Sequence, residues 1–309
     1  MDIKLKLELN LQQMALIRVA ANIWLSRPMI AKSSDFVGFD YMKLGSTFDD
    51  KIKPKFRESL IDIFEQVDSM KLPVAIKKNL LQIMKPVGEN LLDYFRRASE
   101  KWDNPFIGEH FPTIEKFCKY IEFDCFGKVD EVKTFLNIYN ANDKNFSLPF
   151  FFYEACTYCL EDIIYSVWNK CSEAIKFAIK LTLSTAEKML FHVEYWMQFV
   201  DKNQSWFTTK ATEIDALEYC VERANTVGVK YFINKLSQDD KNMVIVPLAQ
   251  RLLKRGIGGY MFDLFPSRNL KQHTCNLFSL LAHMTENDKV KFFFFNKQRI
   301  IFAIGFELF

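Results

Sequence analysis

Glycine and proline are scarce in this sequence, with ten glycines and nine prolines among 309 residues. Such low numbers disfavour an all-β chain, which would need many tight turns. No window holds the roughly 18 uncharged apolar residues of a membrane span. The first residues contain charges and therefore lack the uninterrupted apolar run of a signal peptide, so none is expected. Seven cysteines are an odd number for a disulfide framework, and we therefore expect reduced thiols in a cytoplasmic or nuclear protein.

An excess of charge of one sign is also missing, because 41 basic and 38 acidic residues leave a net charge of +3. Both signs are spread along the chain, which is typical of a solvated surface and predicts no nucleic-acid partner. The basic cluster Lys51, Lys53, Lys55 and Arg57 is shorter than a nucleic-acid site requires, so we interpret it as a solvated helix start. Hydrophobic residues make up 49% of the chain, which is enough for a sizeable core.

Signatures of catalysis are missing as well. The sequence contains no G-x-S-x-G for an activated serine and no H-E-x-x-H for a metalloprotease. The loop Gly256-Ile257-Gly258-Gly259 lacks the lysine of a P-loop and the third glycine of a dinucleotide site, so a helix end is favoured. Acidic pairs such as Asp49-Asp50 and Asp239-Asp240 lie at predicted helix starts, where the helix dipole accounts for them. We therefore expect no enzyme, no catalytic residue and no cofactor.

One cysteine pair, Cys156-x-x-Cys159, resembles half of a zinc site or a redox pair. A zinc site needs two further thiols or imidazoles at local spacing, and the other cysteines of the chain are single. Residues i and i+3 share one face of a helix, and Ile163 lies on that face too. We therefore place both cysteines in the core and expect no metal site.

Apolar spacing predicts helices along the chain. The first is expected over Leu5–Leu25 and the second over Phe56–Ser69, where Leu60, Ile63, Phe64 and Val67 share a face. A third is expected over Val74–Met84, with an interruption at Pro86 and Gly88 and a restart as far as Trp102. An irregular helical region, residues 1–110, would then precede helix pairs in residues 111–309.

Three similar helix starts are predicted in the second part of the chain. Each has a Ser or Thr oxygen that can cap free backbone N–H groups, and an acidic residue near the positive end of the helix dipole. They are Ser184–Lys188, Ser237–Lys241 and Thr285–Lys289.

Self-similarity organises the second part of the chain around Tyr153–Trp168. The small residues Ala155 and Cys159 precede the apolar pair Ile163-Ile164, and we match them to Ala224, Gly228 and Phe232-Ile233, 69 residues later. A third match places Gly127 at the position of Cys159, an offset of 32 residues. The spacing resembles the ankyrin repeat, with its period of about 33 residues. The pattern is similar to the large, uncharacterised families of divergent ankyrin-like proteins of arthropods, although the T-P-L-H opening is absent.

That resemblance implies an all-α fold in which helix pairs stack into an elongated or arched solenoid. Because such a stack leaves an extended surface, we expect a non-catalytic scaffold for a protein partner that the sequence does not identify. The alternative is an enzyme with a polar site between helix pairs. Phe292–Phe295 point all round a helix, which predicts burial on every side. Three interpretations of the apolar C-terminus compete: the last helix packs inward on the chain, it contacts a partner, or the sequence is a truncated gene product. Binding to a membrane surface is a weaker option.

Overall fold

The structure is a computed structural model that describes residues 11–26, 48–102, 117–142, 146–185, 191–201, 211–253 and 270–305. In these residues the chain is all-helical, as predicted, apart from one isolated bridge between Phe123 and Val129. Two compact units are present, Met1–Ser147 and Leu148–Phe309. The boundary predicted near residue 110 lies outside the described residues.

The helices of the first unit differ slightly in their bounds from the predicted ones. Those described are α1 (Leu11–Trp24), α2 (Phe48–Ser69), α3 (Val74–Trp102) and α4 (Glu131–Ala141). Residues 5–10 of the first predicted helix lie outside the described part, and α2 begins before Pro54. The described helices of the second unit are α5 (Leu148–Thr157), α6 (Glu161–Lys170), α7 (Glu173–Thr185), α8 (Phe191–Val200), α9 (Glu213–Glu222), α10 (Thr226–Lys235), α11 (Gln238–Leu253), α12 (Leu270–Ala282) and α13 (Glu286–Gly305).

The first unit is built around α3, against which both α1 and α2 pack. At its centre Trp24 is buried, its ring stacks on Phe56 with centroids 5.5 Å apart, and its indole N–H donates to the carbonyl of Met84 at 2.8 Å. Gly88 lies one turn further along α3, and a Cβ atom there would come within 2.1 Å of the indole ring. The tryptophan can therefore approach the helix only because residue 88 has no side chain. Phe64, predicted on the buried face of α2, lies at its exposed edge.

The predicted interruption of α3 at Pro86 and Gly88 is wrong, because the helix runs through both residues. A proline inside a helix removes one hydrogen bond and is unfavourable by about 3 kcal/mol. Leu80 and Met84 before the proline are fully buried, and Val87 and Leu91 after it are nearly so. Burying each such side chain contributes about 1.5–3 kcal/mol, so packing on both sides of the proline outweighs its local effect.

The second unit has two rows of helices, as the helix–helix contacts define them. In the first row α8 packs on α5 and α9, α9 packs on α11, and α11 packs on α13. In the second row α10 packs on α12, and side chains of α10 reach the start of α6. Contacts between the rows join α5 to α6, α9 to α10 and α11 to α12.

A duplication relates the helix pair α5 and α6 to α9 and α10, and the start of α7 lies at the same offset from the start of α11. Their first residues are 65 apart in every case: 148 and 213, 161 and 226, 173 and 238. Burial in these helix pairs and in the turns after them follows the same offset. The buried pairs are Phe151 with Ala216, Phe152 with Leu217, Ala155 with Cys220, Cys156 with Val221, Cys159 with Ala224, Ile164 with Val229, Val167 with Phe232, Trp168 with Ile233 and Cys171 with Leu236.

The predicted offset of 69 residues is therefore wrong by one helical turn. Ala155 lies inside α5, whereas Ala224 lies in the turn after α9, with a φ of 58°. The residue that corresponds to Ala224 is Cys159, in the turn after α5, with a φ of 53°. Small residues four positions apart occupy the same helical face on successive turns, so their spacing alone cannot distinguish the two alignments.

The match of Gly127 with Cys159 also fails. Gly127 has a φ of 76° and lies between the bridged residues Phe123 and Val129, not in a turn that joins two helices. Its carbonyl accepts a hydrogen bond from Asn90 of α3 at 3.0 Å. The helix that follows, α4, is capped by Asp130, whose side chain accepts from the backbone N–H of Lys133.

Two of the three predicted helix starts are confirmed. The hydroxyl of Ser237 accepts from the N–H of Asp240 at 3.2 Å, and that of Thr285 accepts from the N–H of Asp288 at 3.1 Å. The third is wrong, because Ser184 and Thr185 belong to the last turn of α7. A capping box that the sequence analysis missed is formed at the start of α9 by Thr212 and Asp215.

Burial of the four phenylalanines on every side of α13 is not observed. Phe292 is buried, whereas Phe293 and Phe294 are exposed, the latter by 79%. The side chain of Phe295 lies outside the described part. The helix packs on α11, and the phenylalanine run has one buried ring and leaves two on the surface.

Candidate functional site

A polar junction lies where the start of α6 meets α10. The hydroxyl of Tyr231 donates to a carboxylate oxygen of Glu161 at 2.5 Å, and the ammonium of Lys235 lies 3.1 Å from the same oxygen. The side chains of Glu161 and Lys235 are 45% and 48% exposed. We call these three residues the Glu161 junction. It joins the first copy of the duplicated unit to the second.

A second link between the copies passes through Asn225, which caps α10. Its side-chain oxygen accepts from the N–H of Gly228 at 3.0 Å, and its amide nitrogen donates to the carbonyl of Thr157 at 2.8 Å. A residue that corresponds to Asn225 in the first copy is Leu160, which makes no side-chain cap. The asparagine therefore serves two purposes at once: it starts α10 and holds the end of α5.

The end of α5 is tied to α8 and α9 through a buried histidine. The hydroxyl of Thr157 donates to the carbonyl of Tyr153 at 3.0 Å, so its oxygen is left to accept from Nε2 of His192, 3.2 Å away. The His192 ring stacks on Tyr219 of α9 with centroids 4.7 Å apart, and its edge meets Tyr153. Two helices of the first row thus contact α8 through aromatic rings and one hydroxyl.

Aromatic residues of α8 fill the space beside the Glu161 junction. Trp196 packs against Tyr231 with centroids 5.5 Å apart, and Tyr195 meets Phe232 edge-on at 5.0 Å. The hydroxyl of Tyr195 donates to Glu213 at 3.2 Å. The phenol of Tyr231 is therefore held between an aromatic face and a carboxylate.

Both turns that end the first helix of each copy have a residue in the left-handed region. In the first, the N–H of Leu160 donates to the carbonyl of Ala155 at 3.0 Å. In the second, the N–H of Asn225 donates to the carbonyl of Cys220 at 2.9 Å. This bond pattern is the Schellman motif, whose left-handed position is usually glycine. Here Cys159 and Ala224 occupy it.

The cysteines predicted to lie in the core do so, since Cys156 and Cys159 are buried and free. Burial raises the pKa of Cys159 to about 12, although the nearby indole of Trp196 opposes the shift. Burial also raises the pKa of Cys156 and of Cys220 well above the usual value for a thiol. A nucleophilic or metal-binding cysteine needs a thiolate, so these thiols behave as apolar core groups.

The Glu161 junction is not suited to proton transfer at neutral pH. The hydrogen bond from Tyr231 is the main reason that the pKa of Glu161 is lowered; burial opposes this shift, and the nearby Lys235 adds to it. Burial and the neighbouring carboxylate raise the pKa of Tyr231. A general acid or base works best with a pKa near the operating pH, whereas both groups here are moved away from it. The arrangement therefore holds helices together.

The first unit has an apolar cavity of about 470 Å³ between α1 and the connection from α2 to α3. Leu16 and Leu80 are the buried residues among those that line it, and Lys71 is the one ionisable side chain among the described residues that line it. A single exposed lysine provides no pair of groups for acid–base catalysis.

Other predicted features fall partly or wholly outside the described part of the chain. The loop Gly256–Gly259 lies outside it, and so do the side chains of Lys51, Lys53 and Lys55. Within the described residues, no three His, Cys, Asp or Glu side chains come together as a metal site. No described helix has the length and apolar character needed to cross a bilayer.

The comparisons give no relative from which a function could be transferred. The sequence matches no protein-family model, and neither a curated protein nor a solved structure shows significant similarity to it.

The residues that link the two copies were missed by the sequence analysis, although a signal for the correct alignment is present. Asn169-Lys170-x-Ser172 recurs as Asn234-Lys235-x-Ser237, and Lys176 recurs as Lys241. All of these pairs are 65 residues apart. They lie at the ends of α6 and α10 and at the helix starts that follow, where the repeated residues are polar rather than small.

Proposed function

We propose that this chain is a non-catalytic scaffold that binds a protein partner through its second unit. The packing of the second unit supports this function. Each row is built from contacts between neighbouring helices, and one helix pair occurs twice. In our proposal the helix pairs form a solenoid of degenerate, ankyrin-like repeats. Such arrays are commonly used to bind other proteins along an extended surface.

The second row of helices is the surface that we expect a partner to contact. Each of its helices exposes one large apolar side chain among the described residues: Tyr165 on α6, Val227 on α10 and Phe278 on α12. Single exposed apolar residues are common on any surface. One on each helix of the same row gives an elongated partner three points of contact.

The experiment compares the full chain with a triple variant, Tyr165→Glu, Val227→Glu and Phe278→Glu. Proteins retained from a native lysate are identified, purified and titrated against each version of the chain. A true partner binds the unmodified chain with a saturable isotherm, and the triple variant weakens that binding at least about tenfold, because three charges now face the partner.

The matched control carries charges at exposed apolar positions outside the second row, Met243→Glu on α11 and Val74→Glu on α3. It is expected to keep the affinity of the unmodified chain. Circular dichroism and thermal unfolding of both variants confirm that the helices remain folded. A purified partner that binds the triple variant and the unmodified chain equally would contradict the assignment to the second row, and the lack of any saturable protein partner would contradict the scaffold.

A further inference from the structure

The helix α12 contains a buried amide that no described protein group satisfies. Asn276 is 0% exposed, and neither its oxygen nor its nitrogen has a hydrogen-bond partner among the described residues. Its neighbours Leu277, Leu280 and Leu281 are buried, and the helix packs on α10 and α11. A polar group is thus enclosed in an otherwise apolar helix interface.

An unsatisfied buried amide favours any state in which it meets water. Full unfolding is one such state, and a local opening in which α12 leaves its neighbours is another. The nearby hydroxyl of Ser279 does not add to this effect, since it donates to the carbonyl of Cys275 within the same helix at 2.9 Å. Asn276 therefore weakens the docking of α12 specifically.

The neighbouring helix α10 is held by several bonds that do not depend on α12. The Glu161 junction joins it to α6, and Asn225 joins its first turn to the end of α5. A Schellman turn connects it to α9. It can therefore stay docked when α12 leaves.

We propose that α12 is a detachable helix, and that the buried amide of Asn276 sets how often it opens. Opening hydrates the amide and uncovers the apolar side of α12 together with the parts of α10 and α11 that it covers. Elements that move in function are generally drawn from the less stable parts of a fold. Local opening of α12 gives the second unit an apolar surface that the closed form conceals.

The test is native-state hydrogen exchange of the full chain, followed by mass spectrometry. We expect amides of residues 275–282 to exchange faster than those of residues 226–235. Their exchange should occur through an opening whose free energy depends less on the concentration of denaturant. The variant Asn276→Leu removes the unsatisfied groups and keeps the branched shape of the side chain. It is expected to slow exchange in residues 275–282 by about 5- to 100-fold, the factor that corresponds to satisfying or removing such groups. Exchange in residues 226–235 should change by less than about twofold, as expected for a separate opening unit.

Two further variants complete the test. Asn276→Asp places a charge in the same interface and is expected to speed exchange in residues 275–282. Ser279→Ala, on the same helix, removes a hydroxyl that is bonded locally and should have little effect. The proposal is overturned if residues 275–282 and 226–235 exchange through one common opening. It is equally overturned if Asn276→Leu leaves exchange of α12 unchanged, because the amide would then be satisfied in the closed form.

Discussion

Replacing Gly88 with alanine tests the packing at the centre of the first unit. The new Cβ would lie 2.1 Å from Cζ2 and 2.4 Å from Cε2 of Trp24. The indole cannot move freely, because its N–H bonds the carbonyl of Met84 and its ring stacks on Phe56. Relief of the clash must therefore separate α1 from α3 or displace the ring from both partners.

One favourable and two unfavourable effects decide the size of the change in stability. Alanine is a better helix former than glycine by about 1 kcal/mol. Overpacking of a core is unfavourable by about 1–3 kcal/mol, and losing the indole hydrogen bond adds about 1 kcal/mol. We expect Gly88→Ala to destabilise the first unit by about 2 kcal/mol. In a Trp24→Leu background the clash is gone, so the same change should stabilise the unit by up to about 1 kcal/mol.

The assay is hydrogen exchange of the α3 amides with and without denaturant, because a chain with two units need not unfold in one step. The reasoning predicts that the sign of the Gly88→Ala effect reverses between the two backgrounds. Glu89→Ala, at the neighbouring exposed position, controls for helix propensity and should have a small effect in both. If Gly88→Ala stabilised the unmodified chain, or acted equally in both backgrounds, the close approach of Trp24 to α3 would be refuted.

Three other changes probe the second unit, each measured as the free energy of unfolding from hydrogen exchange. Asp201 forms an ion pair with Lys180 at 2.5 Å, and the two side chains are only 11% and 13% exposed. Asp201→Asn breaks this pair and should lower the free energy of unfolding by about 3 kcal/mol, because a charge is left buried without its partner. The loss should be smaller when Asp201→Asn is combined with Lys180→Met. Ala224→Gly removes the side chain from a residue with left-handed backbone angles, and this should stabilise α9 and α10 by about 1 kcal/mol. Destabilisation would contradict the turn geometry. The lowered pKa of Glu161 stabilises the fold at neutral pH, and that contribution is lost as the pH falls through the lowered value. Because Glu161 is half-exposed, the loss should stay below about 1 kcal/mol and disappear in Glu161→Gln.

Local sequence patterns predicted the helical class and several helix starts correctly because those features depend on near neighbours. Ser237 and Thr285 cap their helices with the N–H groups three residues on, and this geometry follows from the sequence alone. The continuation of α3 through Pro86 depends instead on side chains that pack from other helices. A local rule about proline could not include that contribution.

The alignment of the two copies failed for a different reason. Small and apolar residues recur on every turn of a packed helix, so the match of Ala155 to Ala224 was no better determined than one shifted by a turn. The residues with left-handed backbone angles, Cys159 and Ala224, determine the correct alignment. Because neither of them is the glycine that usually occupies this position of a turn, the sequence contains no sign of them. The candidate site was missed because its bonds join residues about 70 positions apart, as Tyr231 and Glu161 are.

The Glu161 junction gives the duplicated helices a direction. The acid belongs to the first copy, where the second has Thr226, and the phenol belongs to the second copy, where the first has Ser166. Exchanging the order of the copies, or inserting a third between them, would separate the acid from the phenol that binds it. A module therefore cannot simply be inserted at this boundary, as it can in many regular arrays, and an engineered insertion would have to supply a matching acid and phenol on its two sides.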